Sequence, residues 1–203
     1  MNFILNHKYS DGNTPIRPEE AEQLIPQIST MAELNEYEAL NILQAQEWAF
    51  STRTINSIDP LEEHYVRTLH ARMFDHVWKW AGTYRKHERN IGCDPHEILQ
   101  RIPLLLGNAR YWLGQGTFPV DECLLRFHHQ IVSKIHPFPN GNGRHARMIT
   151  DVLAVKFGRP EFTWGAGANV VAEGNARTDY LAALRALDTD ENDVKSLLSF
   201  ARS

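Results

Sequence analysis

The sequence predicts a mainly α fold, with one helical domain over residues 29–203 and an irregular arm over residues 1–28. Apolar residues recur at helical spacing in several segments, and clusters of Gly, Pro or Asn separate these segments. The sequence has no strand–helix alternation and no internal repeat. A chain of 203 residues, 42% hydrophobic and 23% charged, is long enough to bury one sizeable core.

The elements follow in chain order. The arm contains Asp11-Gly12 and several prolines, which leave room for at most a short helical turn over PEEAEQLI. Residues 31–50 are predicted to form a helix, whose apolar stripe has a three-residue spacing: Leu34, Tyr37, Leu40 and Leu43. Further helices are predicted over 60–80, 95–113, 120–134, 143–157 and 176–200. The polar segment 83–93 has no helical period and predicts a hairpin or an exposed loop.

Net charge, cysteine content and apolar runs disfavour several classes of protein. A net charge of -4 disfavours a dedicated nucleic-acid binder, which usually has a basic surplus. Cys93 and Cys123 make neither a disulfide framework nor a metal-ligand cluster, so a reducing compartment is expected. The N-terminal apolar run is too short for a signal peptide, and no stretch approaches the roughly 20 apolar residues of a membrane span. These observations predict a cytoplasmic protein with no membrane or direct nucleic-acid partner.

The segment HPFPNGNGRHAR, residues 136–147, carries the most specific chemistry. Gly141 and Gly143 allow backbone torsions that other residues avoid, and the next helix begins beside them. The first N–H groups of a helix and its positive dipole end favour an anion. Arg144 and Arg147, three residues apart, share a helical face and can reach the same anion. His136 lies at the mouth of this loop and can accept a proton at neutral pH.

Two simpler interpretations stand beside this one. The segment is also compatible with a plain helix start, capped by Asn140 or Asn142, with solvated arginines. His128, His129 and His145 lie near His136 in the sequence and could suggest a metal cluster. Their spacing fits no common zinc pattern, which favours core or partly exposed histidines instead.

Residues 136–147 resemble the signature of the Fic (Fido) family, H-P-F-x-[D/E]-G-N-G-R-x-x-R, at eight of its nine fixed positions. Residues 80–85 (WAGTYR) and 90–92 (NIG) are similar to the family's flap region, and ARTDYLAALRALDTDEND is similar to its closing helix. The length and the segment AELNEYEALNILQAQEWA resemble the small stand-alone group called mobile mystery protein B. The resemblance implies a Fic-type helical bundle with a short β-hairpin flap over residues 84–93.

The resemblance also implies an activity, the transfer of AMP from ATP to a Ser, Thr or Tyr hydroxyl of a target protein, with Mg²⁺ as cofactor. His136 would be the general base. The expected phosphate-binding residues are Gly141, Asn142, Gly143, Arg144 and Arg147. Phe138 would anchor the loop in the core. The partners left open are an operon-encoded antitoxin or regulator and a second copy of the chain.

Asn140 is the one departure from the signature, because a carboxylate that binds Mg²⁺ is expected there. An amide oxygen can bind Mg²⁺ but brings no charge, so metal affinity should fall. Two alternatives therefore stay open: a phosphoryl or other nucleotidyl transferase of the same superfamily, and a weakly active nucleotide-binding module. Doc-type kinases have Ala and Lys in place of Gly141 and Gly143, and the two glycines favour AMP transfer.

Further sites are implied by the resemblance alone. Residues 89–92 of the flap (Arg89, Asn90, Ile91 and Gly92) would align the target's backbone by strand addition. Tyr180 and Leu184 would line an adenine pocket, although core packing explains them equally well.

Many Fic proteins are inhibited by a glutamate from a helix with the pattern [S/T]-x-x-x-E-[G/N]. The segment that begins at Ser29 places Glu33 at this position, with Glu36 as the alternative. Thr30 and Glu33 also form a capping box, which would only begin the helix. Residues 169–175 contain a second partial match at Glu173.

Overall fold

The structure, a computed structural model, describes residue 4, residues 14–165 and residues 175–203. The helices, in chain order, are α1 (Pro18–Ala21), α2 (Met31–Phe50), α3 (Thr52–Ser57), α4 (Glu63–Phe74), α5 (Ile98–Gln115), α6 (Val120–His129), α7 (Asn142–Lys156), α8 (Asn175–Thr189) and α9 (Lys195–Ala201). A 3₁₀ turn, Pro95–Glu97, leads into α5, and a π-helical turn, Gln130–Ile135, continues α6. The mainly α prediction is confirmed. None of the helices described in these ranges has the length and hydropathy to cross a bilayer.

Three predicted helices differ from the observed ones. The helix predicted over 60–80 spans only Glu63–Phe74. Asn41 of α2 donates to the Arg72 carbonyl at 2.8 Å and accepts from the His76 N–H at 3.0 Å, the two groups that a continued helix would pair.

The helix predicted over 120–134 widens to a π-helix after His129. The helix predicted over 176–200 is interrupted after Thr189 and resumes at Lys195. At the interruption Asn192 N–H donates to the Asp190 carboxylate at 2.9 Å, a turn that competes with helical hydrogen bonding.

The apolar stripe predicted for α2 is wrong. Leu34 is buried, but Tyr37, Leu40 and Leu43 are 47%, 62% and 53% exposed. A three-residue step turns about 300° around an α-helix, so the four residues spiral and Leu43 lies about 180° from Leu34. The buried face follows mixed steps of three and four residues: Leu34, Glu38, Asn41, Ala45 and Ala49. The side of α2 that faces the core therefore carries two polar side chains.

The core lies between two helix pairs. α2 packs against α4, while α7 packs against both α6 and α4. Phe127 of α6, Ile149 of α7 and Phe138 of the segment before α7 are fully buried. The signature segment therefore enters α7 from the centre of the molecule, which fixes the direction of that helix's N-terminus.

The predicted β-hairpin flap is not seen. Among residues 14–165 and 175–203 the backbone pairing outside helices is one isolated antiparallel bridge, between Leu24 and Trp78. Residues 84–93 are bends and irregular chain. Polar residues dominate this segment, and side-chain hydrogen bonds to its carbonyls replace the strand ladder.

Candidate active site

The backbone of the signature loop is set by the π-helical turn before it. The N–H of His136 donates to the carbonyl of Ile131 at 3.0 Å, a bond across five residues that closes the wider turn. His136 itself adopts φ 51° and ψ 63°, in the left-handed region. Non-glycine residues with positive φ are uncommon, and π-turns are frequent at functional sites. The sequence thus places its candidate base at a strained helix end.

Two buried residues support the loop from below. Phe138 is fully buried, and its ring stacks on that of His70 at 3.7 Å between centroids. Gly82 N–H donates to His70 Nδ1 at 3.0 Å, so His70 must donate from Nε2 to the carbonyl of Asn140, also at 3.0 Å. Burial lowers the pKa of His70 well below its usual value, which keeps this tautomer neutral. His70 therefore fixes the middle of the loop.

The tautomer of His136 follows from its hydrogen bonds. Nδ1 lies 2.8 Å from the carbonyl of Val132, and a carbonyl can only accept, so Nδ1 carries the proton. Nε2 is then an unprotonated acceptor. It lies 2.9 Å from the Oγ1 hydroxyl of Thr14, which donates to it. His136 is thus a neutral imidazole with its lone pair already directed at a hydroxyl.

Burial also sets the charge state of His136. The residue is 7% exposed, and burial lowers its pKa to about 4, with Arg85 and Arg89 acting in the same direction. The hydrogen bond to Val132 opposes this shift. A general base must be unprotonated at the working pH, and His136 meets that condition throughout the neutral range.

Arg85 holds the flap against the signature loop. This buried guanidinium donates to the carbonyls of His136 at 2.6 Å, Ile135 at 3.2 Å and His87 at 2.9 Å, and also to that of Cys93. The His136 carbonyl belongs to the signature loop, that of Ile135 ends the π-helical turn before it, and the other two belong to the flap. One side chain therefore joins both segments and satisfies carbonyls that no sheet ladder pairs.

The two glycines of the loop serve different purposes. Gly141 has φ +79°, and a Cβ there would lie 2.5 Å from Cζ of Phe74, so packing excludes any side chain. A Cβ on Gly143 would meet only Nη1 of Arg147, at 3.8 Å. The space above Gly143 is therefore open beside a guanidinium. This is the place in the loop where an anion can approach the backbone.

The N-terminus of α7 offers backbone donors rather than the Asn142 side chain. The amide of Asn142 bonds both backbone groups of Phe138, donating at 2.8 Å and accepting at 2.9 Å. Gly141 N–H donates to Asn140 Oδ1 at 2.7 Å. The N–H groups of the next residues have no acceptor within their own helix, as at any helix start. The Asn142 side chain is thus engaged by the loop, and the phosphate role predicted for this residue stays a prediction.

Arg144 is engaged by α2. Its Nη1 lies 2.6 Å from Oε2 of Glu38, whose other oxygen accepts from Nε1 of Trp78 at 2.7 Å. Glu38 is 5% exposed. Removal of a buried carboxylate's partner leaves an uncompensated charge, so this pair is expected to be maintained until another anion replaces the carboxylate.

Arg147 lies over the ring of Tyr180, 5.5 Å from its centroid. The Tyr180 hydroxyl is 2.8 Å from Nε2 of His128. Tyr180 and Leu184 are each 5% exposed. Both are core residues, with Tyr180 under Arg147, and the adenine pocket predicted for them stays a prediction.

The glutamates predicted to inhibit lie elsewhere on α2. Glu33 accepts from the N–H groups of Ser29 at 2.8 Å and Thr30 at 3.0 Å, which completes the capping box. Glu36 is exposed. The glutamate of this helix that contacts a signature arginine is Glu38, which the sequence pattern did not select. The partial match at Glu173 lies outside the described residues.

The four flap residues predicted to dock a target differ in accessibility. The Arg89 side chain is 4% exposed and pairs with Glu20 of α1. Asn90 and Ile91 are exposed. Gly92 has φ +96°, and a Cβ there would lie 2.6 Å from Cβ of His136. The flap therefore touches the candidate base directly, at a residue that must be glycine.

The surroundings of Asn140 do not fit the metal role predicted for it. Its Oδ1 already accepts from Gly141 N–H and lies 3.5 Å from the Arg144 guanidinium, a cation. Its Nδ2 donates to the carbonyl of Thr14 at 2.9 Å. In the part of the chain that the structure describes, no group of three His, Cys, Asp or Glu side chains could hold a metal ion.

The contacts with Thr14 and Glu38 could not be read from the sequence, because these residues lie far from the signature. The contacts that His70 and Arg85 make with the signature loop could not be predicted from the sequence either. The only available signal for Arg85 was its place in the segment WAGTYR, which resembles a family flap but does not reveal a clamp. Among the described residues, His136, Asn140, Arg144 and Thr14 form one connected cluster at the start of α7.

The sequence of the chain is similar to those of known proteins, and the similarity includes the segment that forms this site. Residues 60–154 match the sequence model described as the Fic/DOC family. The chain is similar to protein adenylyltransferase Fic of Drosophila virilis, with 25% identity over 140 residues that cover 66% of this chain and 26% of that protein. Protein adenylyltransferase Fic of Drosophila grimshawi is 26% identical over the same shares. The chain spans about a quarter of the length of these relatives.

Two solved structures extend the likeness along the chain. The N-terminal Fic domain of a VirB-translocated Bep effector protein from Bartonella quintana superposes with a TM-score of 0.65 at 14% identity, covering 97% of this chain and 90% of that one. BepC, a VirB-translocated effector protein from Bartonella tribocorum with bound AMPPNP, gives a TM-score of 0.60 at 15% identity, covering 92% of this chain and 97% of that one. At such identities these structures show a shared fold.

Proposed function

Because the chain is a Fic-family protein, we propose that it transfers AMP from ATP to a hydroxyl side chain of a target protein. The observation that carries the proposal is the state of His136. Its Nδ1 proton is held by Val132, and its Nε2 lone pair accepts from a hydroxyl at 2.9 Å. This is the arrangement a general base needs in order to take a proton from an attacking hydroxyl. The relatives named as adenylyltransferases support the choice of donor.

The start of α7 would hold the triphosphate. Backbone N–H groups at a helix N-terminus bind phosphate, and the open space above Gly143 lets them approach it. Arg147 borders that space, and Arg144 follows Gly143 directly in the first turn of α7. Phosphoryl chemistry depends mainly on positioning and charge neutralisation, which guanidinium groups supply. AMPPNP, bound in the BepC structure, is a triphosphate analogue and supports ATP as the ligand class.

Inhibition by a glutamate of α2 is part of the proposal, with Glu38 in that role. Its carboxylate neutralises Arg144 at 2.6 Å, so a phosphate that uses Arg144 must displace it. Glu33 is committed to the capping box on the exposed start of the helix. The Trp78 hydrogen bond keeps Glu38 turned toward the loop. We expect nucleotide binding and the Glu38–Arg144 pair to compete.

The target protein would approach along the flap. Asn90 and Ile91 are exposed there, and Gly92 touches His136, so a chain laid along residues 90–92 would bring its hydroxyl to the base.

The donor phosphate distinguishes this function from its alternatives. Purified chain, MgATP and a cell lysate are incubated in parallel with α-labelled and γ-labelled ATP, and ATP binding is measured by calorimetry. AMP transfer predicts protein-bound label from the α-phosphate alone. Label from the γ-phosphate would replace the proposal with phosphoryl transfer, and ATP binding without protein label from either donor would indicate a nucleotide-binding module.

A further inference from the structure

Residues 14–25, the docked arm, lie across the candidate active site. At one end, Ile25 N–H donates to the carbonyl of Val77 at 2.9 Å, and Lys79 N–H donates to that of Gln23 at 3.0 Å. In the middle, Glu20 pairs with Arg89 of the flap, and both side chains are less than 10% exposed at 7% and 4%. The docked arm is therefore fixed to the same flap along which a target is expected to bind.

Thr14 ends the docked arm at the base. Its Oγ1 donates to His136 Nε2 at 2.9 Å, and its carbonyl accepts from Asn140 Nδ2 at 2.9 Å. The residue is 7% exposed. Both partners belong to the signature loop, one being the base and the other the residue just before the phosphate-binding glycines. The Thr14 hydroxyl thus takes the position of an attacking hydroxyl, held from two sides.

Asn140 gains a role in this arrangement. Its amide can donate to the Thr14 carbonyl and accept from Gly141 N–H at the same time, whereas a carboxylate could only accept. A carboxylate here would also face the lone pairs of the Thr14 carbonyl. The departure of this chain from the family signature is therefore explained by the docked arm, which needs a donor at position 140.

We propose that Thr14 is a modification site, an acceptor of AMP within its own chain; the inference rests on the proposed function. Thr14 Oγ1 attacks the α-phosphorus of ATP, and an Oγ1–P bond forms. The bond between the α-phosphorus and the oxygen that bridges to the β-phosphate breaks, and pyrophosphate leaves. The hydroxyl proton passes to His136 Nε2. Since the docked arm is tethered, the reaction needs no second protein molecule.

Intact mass spectrometry of the full chain after incubation with MgATP tests this inference, with tandem mass spectrometry to locate the modified residue. The expected result is one AMP group per chain, on Thr14, formed at a rate that does not depend on protein concentration. Thr14→Val, which keeps the side-chain shape, should lose the modification, and Thr14→Ser should restore it. Thr117→Val changes an exposed threonine as a matched control and should be modified like the wild type.

Two further variants sharpen the test. Asn140→Asp loses the donor to Thr14, and a lost hydrogen bond of ordinary strength should slow Thr14 modification about fivefold relative to AMP transfer onto lysate proteins. A His136→Ala chain with a longer tag, mixed with the wild type, should stay unmodified if the transfer is intramolecular. Modification of that tagged chain at Thr14 would overturn the intramolecular assignment.

AMP transfer onto lysate proteins is measured as well, so that a failure of this inference can be distinguished from a failure of the proposed function. AMP on lysate proteins or on other residues, with Thr14 unmodified, would overturn the inference and leave the proposed function standing. AMP on no protein at all would overturn both. If the inference holds, Thr14→Val should modify lysate proteins faster than the wild type, because the competing hydroxyl is gone.

Discussion

Replacement of Arg85 by Met should destabilise the fold and loosen the contact between the flap and the signature loop. Arg85 is 3% exposed and donates to four carbonyls, those of Ile135 and His136 at the buried start of the loop and two in the flap. The flap carbonyls can regain water, and the Ile135 carbonyl keeps the Cys93 N–H at 3.4 Å, so the main cost comes from the His136 carbonyl. At about 1–3 kcal/mol for an unsatisfied buried group, the expected loss of unfolding free energy is about 2 kcal/mol. For a domain of this size that lowers the melting temperature by about 4–8 °C.

The matched control is Arg101→Met, which removes an exposed arginine paired with Glu97 on one helix turn. Such surface pairs contribute about 0.5 kcal/mol or less, so its melting temperature should shift by about 2 °C at most. Thermal unfolding by calorimetry is measured for both variants, and AMP transfer is measured below the lower transition. Arg85→Met should lose transfer even while folded, because the carbonyl of His136 is no longer held. Equal melting shifts for the two variants, or full transfer by Arg85→Met, would refute the clamp.

Three further outcomes are expected. Gly92→Ala places a Cβ 2.6 Å from Cβ of His136 and should slow AMP transfer at least tenfold. The control Gly107→Ala meets no atom within 4 Å and should slightly stabilise its helix. Equal transfer rates for the two variants would contradict the contact between Gly92 and His136. Because burial lowers the pKa of His136 to about 4, the neutral imidazole that accepts the proton is lost only as pH falls through about 4, so the transfer rate should stay level from pH 8 to pH 5. An apparent pKa near 6.5 would refute that environment. Glu38→Gln should raise ATP affinity several-fold and Glu36→Gln should not, as isothermal titration with ATP would show; the reverse order would exclude Glu38 as the inhibitor.

The sequence predicted what depends on short-range pattern. The helices of the domain follow from apolar spacing, and the segment 136–147 carries its own glycines, arginines and histidine in a fixed order. The stripe assigned to α2 was wrong because three-residue spacing alone does not define one helix face. The predicted hairpin was wrong because one arginine, Arg85, bonds carbonyls that a partner strand would pair. A contact made by a single side chain leaves no periodic pattern in the sequence.

The remaining parts of the site depend on long-range contacts. Thr14 meets His136 across 122 residues, and Glu38 meets Arg144 across 106. No spacing rule links such positions, since only tertiary packing brings them together. Asn140 shows the same limit. The sequence marked it as a weakened metal ligand, while its contacts make it the hydrogen-bond donor that holds the docked arm.

The most direct test of the central claim compares His136→Ala with the wild type at equal ATP occupancy. The claim is that Nε2 of His136 takes the proton of the attacking hydroxyl at the start of α7. Protein-bound label from α-labelled ATP should fall by about 100-fold or more, the scale of general-base catalysis, while the dissociation constant for ATP changes little. Label retained at the wild-type rate by a chain that lacks this imidazole would contradict the account.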